Sequence, residues 1–364
     1  MTAHDNRETT PLQVGYMPLI DCAPLVAAVR LGLDVKHGLR LQLQRQASWA
    51  AIRDKLLSGE LDAVHALAGL VYGVETGIGG PQAELAILMT LNQNGQAITL
   101  SPALSQRLQQ GASLREALAA LPRRPVFAQT FPTGTHAMWL YYWLAAHGVD
   151  PMTDIHAVTL PPPQMPATLA RGELDGYCAG EPWAAEAEAL GAGQRVIRSG
   201  QIWPGHPEKV LACRREFAAL QSETAVALTA AVLEACRWLD EPDNRRQAVQ
   251  WLTDPDVIDL PADRIAACLL PSDNDDPTQR LSFHADGQVN FPWLSDGRWF
   301  LEQFRRWGLL AGESIGFDDA LLGNVHRLEI YHQASALIGV RLPAADTRPN
   351  RLFDDGGLSQ ETEA

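Results

Sequence analysis

The chain has 364 residues, 46% of them hydrophobic and 20% charged, with a net charge of −14. That length can bury two sizeable cores, and the composition is that of an ordinary globular protein. The acidic balance, with no Lys/Arg run, argues against direct nucleic-acid binding. The apolar runs are short and interrupted by Arg, Glu, Gly or Pro, which argues against a membrane-spanning helix.

The first ten residues are polar. Leu12–Tyr16 reads as a strand ending in a turn, followed by a helix with small residues on one side over Asp21–Leu33. Tyr16, Pro18 and Asp21 lie on that strand-to-helix turn, a position able to face a cleft. Leu39 to Gln46 alternates apolar and polar with the period of a strand. The next spacing predicts a helix from about Trp49 to Leu57, a turn at Gly59, a short strand around Asp62–Ala66 and a further helix. Residues 84–101 form a long β-rich segment with a polar interruption at Asn92–Gln96. Alternation of this kind implies parallel strand pairing.

A helix over Leu104–Leu121 opens a second α/β unit. Residues 125–130 read as a strand, FPTGTH (131–136) as a loop, and the apolar run that follows as a helix stopped by Gly148 and Pro151. Thr133 and Thr135 can cap that helix, and His136 falls in its first turn. A helix start offers free backbone N–H groups and the positive end of a dipole, so it suits a small anion. A strand at 154–160 comes next. The following stretch repeats the first unit's order, and SGELDAVHA (58–66) and RGELDGYCA (171–179) are near copies. The repetition implies two lobes of like topology, although Gly-Glu-Leu-Asp also serves as a common helix-to-strand turn. Residues 222–253 are predicted helical, and 271–292 a polar surface loop. Helices over 292–310 and 317–338 are expected to pack back on the first lobe. The expected division is 11–101 plus 216–342 for lobe one and 102–215 for lobe two, with 343–364 a mobile acidic tail.

The N-terminus shows no basic start followed by an apolar stretch and no lipoprotein-type cysteine, so a cytoplasmic location is expected. Cys22, Cys178, Cys213, Cys236 and Cys268 are scattered without a CxxC pair. That fits reduced thiols packed in cores rather than metal ligands. With no Cys cluster, GxSxG or HExxH, neither an enzyme nor a cofactor is expected.

The ordered set QASWAAIRD, LNQNGQAI, FPTGTHAMWLYYWLAAHGVDP, GELDGYCAGEPW and GHPEKVLACR resembles the nitrate and bicarbonate solute-binding proteins of bacterial ABC transporters, from about Val14 to Leu342. The resemblance implies a two-lobed α/β, periplasmic-binding-protein-like (type 2) fold with ligand in the cleft. Because such lobes exchange chain through hinge strands, lobe one should be discontinuous. A member without an export leader resembles the nitrate/nitrite sensor of the NasS type. That sensor holds an RNA-binding antiterminator of the ANTAR class and releases it when nitrate binds. The implied partners are therefore nitrate or nitrite and an ANTAR-domain protein, with no direct nucleic-acid or membrane contact.

Read alone, Trp49 could pack or touch a ligand, Gln96 could bond its own turn, His136 could cap or fill a core, and Lys209 could be a solvated surface residue. The resemblance assigns all four to nitrate. Gly180, before Glu181-Pro182-Trp183, reads as cleft wall whose backbone N–H groups reach the anion. Nitrate presents only acceptor oxygens, so a donor-only cleft is expected. In the bicarbonate relatives an acidic residue replaces the lysine and helps hold calcium. Lys209 would repel such a cation, which favours nitrate or nitrite and no metal. Glu181 should point away or pair with a base. Cys178 fits core or cleft. Trp139 and Trp143 share a helix face and fit a core.

Overall fold

The computed structural model describes residues 11–271, 276, 279–312 and 315–354, with the backbone alone for 315–317. Among the described residues ten strands form two five-stranded sheets. They are β1 (Leu12–Tyr16), β2 (Leu41–Arg45), β3 (Ala63–Leu67), β4 (Leu85–Gln93), β5 (Gln96–Leu100), β6 (Val126–Gln129), β7 (His156–Thr159), β8 (Gly176–Gly180), β9 (Gln194–Arg198) and β10 (Pro207–Arg214). The first sheet runs β2-β1-β3-β10-β4 and the second β7-β6-β8-β5-β9. The two sheets have like topology, as the repeated pattern implies. β3 and β8, which carry the near-copied sequences, each lie parallel to the strand that opens their unit and antiparallel to the strand on their other side.

The two antiparallel strands tie the lobes together. The chain leaves the first sheet after Gln93, turns through Asn94 and Gly95, both with positive φ, and enters the second sheet as β5. It returns after β9 to enter the first sheet as β10. The expected boundaries at 101/102 and 215/216 are therefore corrected to the two crossings at 94–95 and 199–206. The long 84–101 segment is one continuous β run that changes sheet, which hydrophobicity alone does not reveal.

β3, β4, β5 and β8 are buried at every position, as sheets covered on both faces require. The alternating β2 is a half-exposed edge. Three predicted helices are broken where the backbone demands it. The first is interrupted at Gly32 (φ 67°) and the 104–121 segment at Gly111 (φ 94°), both in the left-handed region that only glycine adopts freely. The third divides into Ser222–Trp238 and Pro242–Leu252, with Pro242 at the start of the second piece. Ser222–Trp238 packs between the Ala23–Arg30 and Leu328–Ile338 helices, under the far face of the first sheet.

The Leu294–Arg306 helix does more than return to the first lobe. It packs on the Ala68–Glu75 helix, and its Trp299 stacks on Trp139 of the second lobe at 4.7 Å, so one apolar core spans both lobes. The expected mobile tail is also corrected over its described part. The Leu294 N–H donates to the Asp346 carbonyl, and Arg348 pairs with buried Asp296 at 2.8 Å. Leu352 is buried, the Phe353 N–H donates to the Ile202 carbonyl, and Tyr142 donates to Asp354. A pair of ordinary backbone bonds and one buried leucine outweigh the acidic composition. Residues 355–364 lie outside the described part. No described helix is long and apolar enough to cross a membrane.

Candidate functional site

Lys209 is the centre of the site, and a fault in β10 puts it there. Opposite β4, Pro207 pairs with Gln93 and Lys209 with Asn92, so two residues on β10 face one on β4. This β-bulge makes Glu208 the extra residue. Alternation would send Glu208 and Lys209 to opposite faces of the sheet. The bulge instead lets both side chains converge, and Lys209 Nζ donates to Glu208 Oε1 while both are fully buried.

The first lobe supplies three further groups. Asp21, in a single turn ahead of the Ala23–Arg30 helix, accepts from Lys209 Nζ through Oδ2 at 2.7 Å. Its Oδ1 accepts from His65 Nε2 at 2.8 Å. The His65 Nδ1 accepts from the Met17 backbone N–H at 3.4 Å, which fixes the ring as the neutral tautomer with its proton on Nε2. Trp49 begins the Trp49–Ser58 helix, capped by the Ser48 hydroxyl, and lies 5.6 Å from both the Lys209 ammonium and the His65 ring. Its buried Nε1 has no hydrogen-bond partner among the described residues.

The second lobe faces these groups. Its Thr135–Ala146 helix is capped by the Gly134 backbone and takes no side-chain bond from either threonine, which corrects the expected capping. Thr135 Oγ1 donates to Glu208 Oε1 at 3.2 Å and accepts from Gln96 Nε2 at 3.4 Å. His136 Nε2 lies 3.3 Å from the same Glu208 oxygen, without an aligned hydrogen bond, and its Nδ1 is 2.5 Å from Thr130 Oγ1. Gly180 pairs with Gln96 in the sheet, and a side chain there would lie 3.5 Å from Asp21 Oδ2. Trp49, Gln96, His136, Gly180 and Lys209, named from the sequence, thus belong to one buried cluster drawn from both lobes.

The lobes meet closely around it. The Ile20 N–H donates to the Glu181 carbonyl at 2.9 Å, and Trp183 Nε1 to the Pro18 carbonyl at 3.2 Å. Gly69 and Gly73, one turn apart, let the Ala68–Glu75 helix lie against the Thr133–Gly134 backbone, where any Cβ would collide with Thr133. Glu181 pairs with Arg195 at 2.5 Å, away from Lys209. Cys178 is a core thiol pushed up by burial, and Trp139 packs among Trp203, His206 and Trp299. Trp143 is buried too, its ring tilted against His147 at 4.9 Å.

The electrostatics correct one expectation. The cleft is not made of donors alone, since two carboxylates flank one ammonium. Burial would push both acids up, yet Lys209, with His65 beside Asp21 and His136 beside Glu208, holds each below the usual carboxylate range. Burial would push Lys209 down, but Asp21 and Glu208 hold it above its ordinary value. The rings of His65 and His136 are driven down by burial, against the pull of those acids. At neutral pH the cluster therefore carries one net negative charge. Among the described residues no group of three or more His, Cys, Asp or Glu is arranged to hold a metal. The Lys209 ammonium sits between the two carboxylates where a cation would bind.

Sequence reading reached Asp21 only as a residue able to face the cleft, and it missed His65, Thr130 and Glu208. His65 had a signal, because it occupies the repeat position that Cys178 fills in the second copy. Glu208 had none, because strand alternation points it the wrong way.

A profile of the NMT1-like family matches residues 5–253. The nitrate/nitrite binding protein NrtA of Synechocystis is 31% identical over 96% of this chain and 82% of its own length. The crystal structure of the periplasmic nitrate-binding protein NrtA from Synechocystis PCC 6803 superposes with a TM-score of 0.89 at 30% identity, over 96% of this chain and 95% of that one. The bicarbonate transport ATP-binding protein CmpC of Synechococcus elongatus is 36% identical over 97% of this chain, which spans about half (53%) of that longer protein. The chain has the two-lobed, periplasmic-binding-protein-like α/β fold, is homologous to the NrtA proteins of ABC transporters, and belongs to the NMT1-like family.

Proposed function

We propose that the chain binds nitrate or nitrite between its lobes, at Lys209, His136, Gln96, Trp49 and the Gly180 turn. One observation carries this reading. Donors from both lobes converge at a single buried point, with Trp49 Nε1 and His136 Nε2 lacking hydrogen-bond partners among the described residues, in a chain homologous to nitrate-binding NrtA. A planar acceptor-only anion suits such donors. Lys209, seated between Asp21 and Glu208, supplies as a side chain the positive charge that bicarbonate relatives obtain from calcium. We read the chain as a binding protein without catalytic role or cofactor. Calorimetry with nitrate, nitrite and bicarbonate, with and without calcium, tests it. Heat with nitrate or nitrite is expected, and a response to bicarbonate plus calcium alone overturns it.

We further propose that the protein is a cytoplasmic sensor, holding an ANTAR-type antiterminator and releasing it when the anion closes the lobes. The resemblance to NasS-like sensors supports this reading, and the free thiols at all five cysteines suit a reducing compartment. The anion can drive release only through its differential affinity for the two lobe arrangements. Pull-down with an ANTAR protein should show capture without nitrate and release with it. The second reading, a component of a nitrate ABC transporter, is favoured by the printed roles of the relatives, and recovery of the native protein outside the cytoplasm would select it.

A further inference from the structure

The proposed anion presents the cluster with a charge problem. Asp21 and Glu208 already outnumber Lys209, and all three are buried. A monoanion entering the same enclosure would leave two uncompensated negative charges there, with no water around them to screen the repulsion. Arg195 is committed, paired with Glu181 and Glu188. We therefore propose, resting on the anion assignment above, that each anion enters with one proton, taken up by the His136 ring beside Glu208, so that the site binds anion and proton together.

The hydrogen bonds single out this pair. Both Asp21 oxygens are engaged, one by His65 and one by Lys209. Both His65 nitrogens are engaged as well, and a proton on Nδ1 would set two N–H groups against each other, because the Met17 amide already points there. Cys178, facing Glu208 from β8, is a thiol with no proton to gain. His206, two residues before Glu208, is tilted against Trp139 at 4.5 Å with its Nδ1 at the Pro207 carbonyl; its Nε2 has no hydrogen-bond partner among the described residues, but burial, with Arg348 adding to it, disfavours a charge on the ring. His136 differs from all of these. Its Nδ1 partner is the Thr130 hydroxyl, which can donate to a neutral ring or accept from a charged one, so protonation costs no bond. Its Nε2 points to Glu208, and both Nε2 and Glu208 Oε2 are buried without hydrogen-bond partners among the described residues. Burial, with the Lys209 cation adding to it, keeps the ring neutral, and a further anion beside it shifts the balance toward the charged form.

The test is calorimetry of the full chain with sodium nitrate near pH 7, in buffers of low and high ionisation enthalpy. The expected result is a buffer-dependent heat corresponding to about one proton taken up per nitrate. Affinity should tighten as pH falls, by up to about tenfold per pH unit. Glu208→Gln removes the excess charge. That variant, once shown to melt cooperatively, should bind with buffer-independent heat and a flat pH profile. Nitrate heat that is the same in both buffers, with pH-independent affinity in the unaltered protein, overturns the proton linkage and leaves the anion assignment standing. Proton uptake undiminished in Glu208→Gln overturns the location. Absence of nitrate heat at every pH overturns the anion assignment, and this proposal with it.

Discussion

His136 Nε2 and Glu208 Oε1 lie 3.3 Å apart across the junction of the two lobes. One belongs to the first turn of a helix in the second lobe, the other to the bulged strand that carries the chain back to the first. The pair therefore both bridges the lobes and forms part of the charged cluster. Anything that changes the charge on either residue also changes how firmly the lobes are held.

Lys209 is the single ammonium compensating two buried carboxylates. Replacing it with methionine strands Asp21 and Glu208, and the loss from breaking such a buried arrangement is about 3–5 kcal/mol. Chemical denaturation should show this, together with loss of nitrate binding. Adding Asp21→Asn should recover part of the stability and none of the binding. Additive losses in the double variant would contradict the coupling.

Gly69 and Gly73 sit where the two lobes touch. Gly69→Ala places a methyl group against the Thr133 carbonyl. Overpacking of this kind costs about 1–3 kcal/mol, and here the closed arrangement bears the cost. Nitrate affinity should fall between about fivefold and a hundredfold, with the melting temperature of the free protein nearly unchanged. A large drop in melting temperature at unchanged affinity would show that the contact serves folding instead.

Buried histidines predict acid sensitivity. Burial lowers His206 and His326 from 6.5 to about 4. The unfolded chain then binds protons that the folded chain refuses, so stability falls as pH drops from 6.5 toward 4, by on the order of 3 kcal/mol for each ring. Below that range Asp21 and Glu208, held low in the fold, lose their contribution as they protonate. Melting temperatures from pH 8 to 4 should decline through this window, and His326→Asn should flatten the upper part. A constant melting temperature between pH 7 and 5 would contradict the assignment.

Arg348 reaches from the C-terminal segment to Asp296, a carboxylate that burial raises and this guanidinium pulls back. Arg348→Ala should cost about 3 kcal/mol by leaving that carboxylate unpaired. Arg348→Ala combined with Asp296→Asn should cost less than the single change, as measured by denaturant unfolding.

Much of the architecture was legible in the chain. The alternation of Leu39–Gln46, the Gly-Glu-Leu-Asp copies and the glycine stops follow directly from local chemistry. The sheet crossing at Asn94–Gly95 reads only as a polar interruption, because the strands whose pairing defines it, β8, β9 and β10, lie far along the chain. Lys209 could be named from its loop, but its carboxylate partners could not. Glu208 depends on a bulge that two-residue periodicity hides, and Asp21 lies 188 residues away in sequence. The docking of residues 346–354 escaped notice because composition registers the acidic groups and not the backbone bonds that hold them.

That last segment sets a mechanical limit on the molecule. Its anchor at Asp346 holds a helix packed on the first lobe, and its anchor at Phe353 holds Ile202 in the second crossing, where the chain packs against the second lobe. Seven residues reach at most about 25 Å when fully drawn out. While both anchors hold, the segment is a check-strap of fixed length: the lobes can swing apart only until it is taut. A wider opening must first peel Leu352 and Phe353 from their seats.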